Sequence, residues 1–163
     1  MLVRWLMRRF VSGSGMTGTA SQASAAETVP IPLHPDDYQQ FETMLHRVQA
    51  AWSTGGLATL QRLTTPEMAA TFAHQLQELH ARGLRNEVSD VRLLQGDLSE
   101  AWHESGAEYA TVAMRFSMIG VTHDAAGRLV DGAPGEHVQT TELRTFRRPP
   151  GDRRILSAIQ QAG

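Results

Sequence analysis

The sequence predicts an α+β domain, helices first and an antiparallel sheet after them. Three observations carry the prediction. As far as about Arg82 the apolar residues recur at helical spacing; from Asn86 onward they alternate, as in strands with one buried face. The second half is also punctuated by Gly- and Pro-containing turns, which suit a meander of adjacent strands.

The first helix is expected over residues 36–53. Phe41, Met44, Leu45, Val48 and Trp52 fall on one face, and Asp36 and Asp37 sit in the first turn, where the helix dipole favours negative charge. Gly55-Gly56 ends it. A short helical piece follows from Leu57 to Leu63. Thr65 then has the chemistry of an N-cap, with Pro66 at the first helical position. This third helix runs to about Arg82, carries Met68, Phe72, Leu76 and Leu79 as one stripe, and stops at Gly83.

Val88 to Trp102 reads as a long or interrupted strand with a bulge expected at Gly96. Glu104-Ser105-Gly106 turns the chain back into a strand in which Ala110, Val112, Met114, Phe116 and Met118 alternate with Thr111, Ala113, Arg115 and Ser117. Asp124 to Gly127 and Asp131-Gly132 are turn signals ahead of a strand over Val138–Arg148. Pro149-Pro150-Gly151-Asp152 leads into a last strand from Arg154 to Gln160. About four strands would curl around the long first helix and leave a concave apolar pocket between helices and sheet.

Composition narrows the function classes. The chain has 163 residues, no cysteine, and a net charge of −2. Disulfides and thiolate metal sites are therefore excluded. All 15 basic residues are arginine. They concentrate at the ends: residues 1–15 and residues 137–163 each carry a net +3, which leaves the middle near −8 against the total of −2. A nucleic-acid binder would show a broader basic excess, so nucleic acid is not an expected partner.

The chain divides into a stub (1–11), a linker (12–34) and a domain (35–163), the last long enough to bury roughly two-thirds of its unfolded surface. The stub mixes Arg4, Arg8 and Arg9 with Trp5 and Phe10. It is shorter than the about 20 apolar residues a membrane span requires, and its interrupted apolar run is unlike a secretory signal. It can lie at a membrane interface with arginines toward anionic lipid, or be the end of a membrane helix with its positive flank. Residues 12–28 are rich in Gly, Ser, Ala and Thr, the composition of a flexible linker.

Several short stretches, taken in order, resemble the Tim-forty-four-like family. They are Val48-Gln49-Ala50-Ala51-Trp52, Thr65-Pro66-Glu67-Met68, Val88-Ser89-Asp90-Val91, Tyr109-Ala110-Thr111-Val112, Gly127-Arg128, Thr141-Glu142 with Thr145-Phe146, and Leu156 to Gln161. The resemblance covers about residues 36–162. It implies the nuclear-transport-factor-two-like (cystatin-like) cone. It further implies a non-catalytic, membrane-associated domain that tethers or binds partners, as mitochondrial members anchor the protein-import motor at the inner membrane. Expected partners are then anionic lipid and proteins of the chaperone or translocation machinery; if the stub ends a membrane helix, its trailing arginines place the domain on the cytoplasmic side of the inner membrane. Relatives commonly carry tryptophan where Arg144 and Arg154 stand here.

Three sets of candidate residues follow. Arg4, Trp5, Arg8, Arg9 and Phe10 are membrane-proximal. Met44, Met68, Phe72, Met114, Phe116 and Met118 either line an adaptable pocket or form core. Arg144, Arg147, Arg148, Arg153 and Arg154 flank one hairpin and form either a solvated strand edge or a patch for an anionic partner. No metal or cofactor is expected: His74 and Glu78 share a helical face near His80, without a third convergent ligand. The cone fold leaves a rival reading, a small-molecule binder or an isomerase- or dehydratase-type enzyme, whose acid–base candidates are Tyr38, Tyr109, Asp90 and Asp97. A subunit forming a sheet-to-sheet homo-oligomer is a third.

Overall fold

The structure is a computed structural model that describes residues 29–30 and 34–162. The stub and most of the linker lie outside the described residues. The elements are β1 (Val29–Pro30), α1 (Pro35–Thr54), α2 (Leu57–Leu63), α3 (Pro66–Ala81), β2 (Leu84–Glu104), β3 (Ala107–Asp124), β4 (Leu129–Gly132), β5 (Val138–Arg148) and β6 (Ile155–Gln161). The strands form one antiparallel sheet in the order β1-β2-β3-β5-β6, with β4 paired to β3 in line with β5. The three helices pack on one face of it. Helices on a sheet bent by bulges is the α+β architecture expected; the sheet gains two short strands, β1 and β4, over the about four read from sequence.

Each helix boundary has a local cause. The Asp37 carboxylate accepts the His34 backbone N–H at 2.8 Å, Pro35 occupies the first turn, and Gly55, at φ +66°, closes α1 with its N–H on the Trp52 carbonyl. In α3 the Thr65 hydroxyl accepts the Met68 N–H, as an N-cap should. Thr65 also donates its own N–H to the Leu156 carbonyl, which fixes the start of α3 to β6.

The apolar stripe of α1 is buried against the inner sheet face, where Val112, Met114, Phe116 and Phe146 meet it. Phe41 lies 4.8 Å from Phe146, ring centre to ring centre. At the far end of α1 the fit is polar. The Trp52 indole N–H donates to Asn86 Oδ1 at 2.9 Å, and the Asn86 amide donates onward to Thr122 Oγ1 at 3.0 Å. The Ser53 hydroxyl donates to the Val88 carbonyl and accepts the Val88 N–H. Together these satisfy polar groups that burial would otherwise penalise.

Two turn readings change in the folded chain. Gly96 sits in register opposite Met114, and the irregularities of β2 fall instead between Ser89 and Arg92, between Leu93 and Gln95, and between Leu98 and Glu100. Asp90, inside the first of these, has φ +47°. Gly132 is the last residue of β4 rather than part of a turn. Its φ is +83°, and a Cβ there would overlap the Gly120 carbonyl oxygen, so only glycine allows β4 to approach β3.

Candidate functional site

The six candidate pocket residues belong to a single packed cluster. Met44, Met68, Phe72, Met114, Phe116 and Met118 are all buried, none more than 7% exposed. They fill the space between helices and sheet as core. An open depression among the described residues, about 620 Å³, lies where the end of α3 and the start of β2 meet the end of β3, around His80, Leu84, Glu87, His123 and Asp124.

The arginine hairpin is corrected by its carboxylates. Arg144 points to the inner face of the sheet, 2% exposed, with Nε and Nη2 donating to Glu142 Oε1 at 3.0 and 2.8 Å. Arg154 is equally enclosed: Nη2 donates to Asp37 Oδ1 at 2.8 Å and Nε to Gln40 Oε1 at 3.2 Å. Arg148 pairs with Glu108. Arg144 and Arg154 are therefore enclosed and cannot present themselves to an anionic partner, while Arg148, its side chain 37% exposed, is paired with Glu108 at the surface. Arg147 is half-buried, and Arg153 is exposed beside Asp152. The physical reason is alternation: Glu142 and Arg144, two apart on β5, share the inward face, where a lone charge would be costly and a pair is tolerated.

Both buried arginines lie over aromatic rings, Arg144 at 5.6 Å from the Phe116 centre and Arg154 at 5.1 Å from that of Phe41. A flat guanidinium can replace a flat indole in such a slot, since its alkyl stem supplies apolar contact and its plane stacks. Each leaves one buried nitrogen, Nη1, without a hydrogen-bond partner among the described residues, as do Gln75 Oε1 and Gln161 Oε1.

Around Arg154 the network locks three elements together. Burial by itself raises the pKa of Asp37, but the His34 N–H, the Arg154 hydrogen bond and the charges of Arg154 and Arg148 outweigh it, and the carboxyl ends below its ordinary value. The other shifted acid is Asp90. Hydrogen bonds from His137 and Arg92 hold it below the usual carboxylate range at the exposed bulge of β2.

The acid–base candidates do not converge. Tyr38 is 38% exposed on α1 and meets Phe41 edge-on. Tyr109 stacks on Trp102 across β2 and β3 at 5.3 Å. Asp90 is taken up by His137 and Arg92, and Asp97 by the Gln95 amide at 2.6 Å. His74 pairs with Glu78 at 3.2 Å along α3, and no group of three potential metal ligands occurs among the described residues. No helix among them is long and apolar enough to cross a membrane. Arg4, Trp5, Arg8, Arg9 and Phe10 lie outside the described residues.

One feature escaped the sequence reading. The free side of β2 exposes Leu94 and Leu98, 44% and 38%, with Asp97 and Glu100 beside them. β1 pairs with β2 only at Trp102 and His103. Leu94 falls at the irregularity between Leu93 and Gln95, outside the regular alternation, so period alone could not place it; Leu98 keeps register opposite Val112.

Comparison with known proteins gives one family. The model described as "Tim44-like domain" matches residues 19–161. No curated protein sequence matches. Among solved structures, the crystal structure of the intermembrane space region of the chloroplast protein ARC6 is similar with a TM-score of 0.48 and 12% identity, over 80% of this chain and 100% of that one.

Proposed function

The chain belongs to the Tim44-like domain family, and on that premise we propose that it is a non-catalytic, membrane-associated binding and tethering domain. The single observation that carries this reading is the family match across residues 19–161. The family is membrane-associated and related to the import-motor anchor. Arg4, Trp5, Arg8, Arg9 and Phe10 are the proposed membrane attachment, with arginines trailing on the cytoplasmic side of the inner membrane. The domain then presents its surface to protein partners of the chaperone or translocation kind. Anionic lipid is met by the N-terminal arginines more than by the β5–β6 hairpin, because Arg144, Arg148 and Arg154 are already paired. The scattered acid–base candidates favour binding over catalysis.

Vesicle flotation of the full chain tests the proposal. An arginine near an anionic surface contributes about 1 kcal/mol, so Arg4, Arg8 and Arg9 changed together to Gln should lower partitioning roughly a hundred-fold. A full chain that fails to float with anionic vesicles, or that floats equally well with neutral ones after the triple change, defeats the membrane role of this segment.

A second reading has one observation behind it. Arg144 Nη1 on the inner sheet face, and the buried Gln75 and Gln161 oxygens, have no hydrogen-bond partner among the described residues, as would groups waiting for a small polar ligand. Native mass spectrometry of the purified chain would reveal a retained small molecule, and its absence leaves ordered water as the partner of these atoms.

A further inference from the structure

We infer that the free edge of β2 between Leu93 and Glu100 is a docking surface for the N-terminal segment of the same chain, residues 1–10. It would be filled when that segment is away from the membrane. The exchange with lipid rests on the tethering function proposed above; the contact itself stands on the features of the two surfaces.

The surface comes first. Among the described residues no strand pairs with the free side of β2 between Leu84 and Ala101. Leu94 and Leu98 stand exposed there, and from Leu93 to Glu104 the strand carries Asp97, Glu100 and Glu104 without one arginine. Arg115 on neighbouring β3 is turned to the Gln95 amide oxygen at 3.2 Å. Leu98 stands opposite Val112 on the inner face of the sheet, while Asp97 and Glu100, opposite Ala113 and Thr111, are on its outer face, so a segment lying along the edge would meet apolar groups on one side and acidic groups on the other. The bulges of this edge at Leu94 and Ser99 discourage indiscriminate strand addition, which leaves recognition to side chains.

The occupant has the complementary chemistry. Residues 1–10 hold Leu2, Val3, Trp5, Leu6 and Phe10 together with Arg4, Arg8 and Arg9, and no acid. The connection is short enough. The chain enters the domain at Val29, paired with His103 at the end of this same strand. From His103 back to Leu94 is about 30 Å at the rise of a β-strand, while residues 11–28 can span at most about 60 Å. Covalent linkage keeps the segment at high local concentration near β2, so weak contacts suffice. Apolar side chains would cover Leu94 and Leu98 while the arginines reach Asp97 and Glu100, and the same side chains would be those buried in a bilayer. Docking and membrane attachment would then exclude each other.

Two measurements on the full chain test this. With Trp5 replaced by the photoreactive benzoylphenylalanine and no vesicles present, crosslinks should concentrate on residues 93–100; crosslinks spread over the domain, or gathered on another element, overturn the inference. This arm needs no membrane, so it survives a failure of the tethering function. In the second arm Asp97 and Glu100 are changed together to Arg. Exposed ion pairs contribute about 0.2–1 kcal/mol each, so releasing the segment from two of them should raise partitioning into anionic vesicles about two- to thirty-fold beyond the increase given by the control pair Glu67→Arg and Glu136→Arg. An equal rise in both pairs counts against docking.

Discussion

Arg144 and Arg154 are two charges enclosed by the fold, and the folded chain shows how it accommodates them. Each guanidinium lies over a phenylalanine ring and spends its charge on one carboxylate, Glu142 or Asp37. A pair of this kind is held by mutual need. Removing only Glu142, as Glu142→Ala, leaves a buried cation and should destabilise by about 3–5 kcal/mol. Changing both, as Glu142→Met with Arg144→Trp, should return stability to within about 1–2 kcal/mol of the starting chain. Urea denaturation of the three proteins decides it, and a double variant as unstable as the single would refute the compensation. Asp37 behaves differently because its charge is favoured in the fold. Its carboxyl lies below the ordinary value, so its contribution is complete above the unfolded-state pKa of about 3.9 and fades as pH falls through the lower, folded value. The stability difference between the parent and Asp37→Asn should accordingly be constant near neutrality and shrink below about pH 4. A difference that grows on acidification would mean the folded carboxyl titrates above the unfolded one.

Among the elements, β4 depends most on a single backbone position. Gly132 holds a positive φ and lies against the Gly120 carbonyl, so Gly132→Ala must either displace the strand or strain both chains. The expected cost is about 1–3 kcal/mol. It should fall locally: amide exchange at Val130 and Asp131 speeds up, while Val112 in the centre of β3 stays protected. Equal acceleration at both places would show that β4 is not a separable unit. The sequence already contained α1, α2 and α3 to within a residue or two, since helical period and caps are local signals. It also contained the alternation of β3 and the extent of β5. What it withheld were features set by distant partners. Arg154 meets Asp37 117 positions away, and Arg148 meets Glu108 40 positions away. Five arginines close together in sequence therefore read as one exposed group, a solvated strand edge or a patch, although folding turns two of them inward and engages a third. The bulges of β2 were hidden for a related reason. They arise from how β2 fits against β3, and the glycine that looked like a bulge fits the ladder without one.

Over the whole molecule, helices and inner sheet face share one apolar cluster, and the surfaces left for function are its margins: the β2 edge, the shallow depression by His80 and His123, and the chain entering at Val29. That entry has a mechanical consequence. A tether under load pulls first on β1, whose two residues pair with Trp102 and His103 at the end of a strand 21 residues long. So short a ladder peels open and yields slack of at most about 20 Å up to Pro35. Force then arrives at the first turn of α1, where the Asp37–Arg154 bond joins helix to sheet near the Glu108–Arg148 pair. β1 would act as a weak link that gives way early, and the buried ion pair as the stop that keeps the strain out of the core.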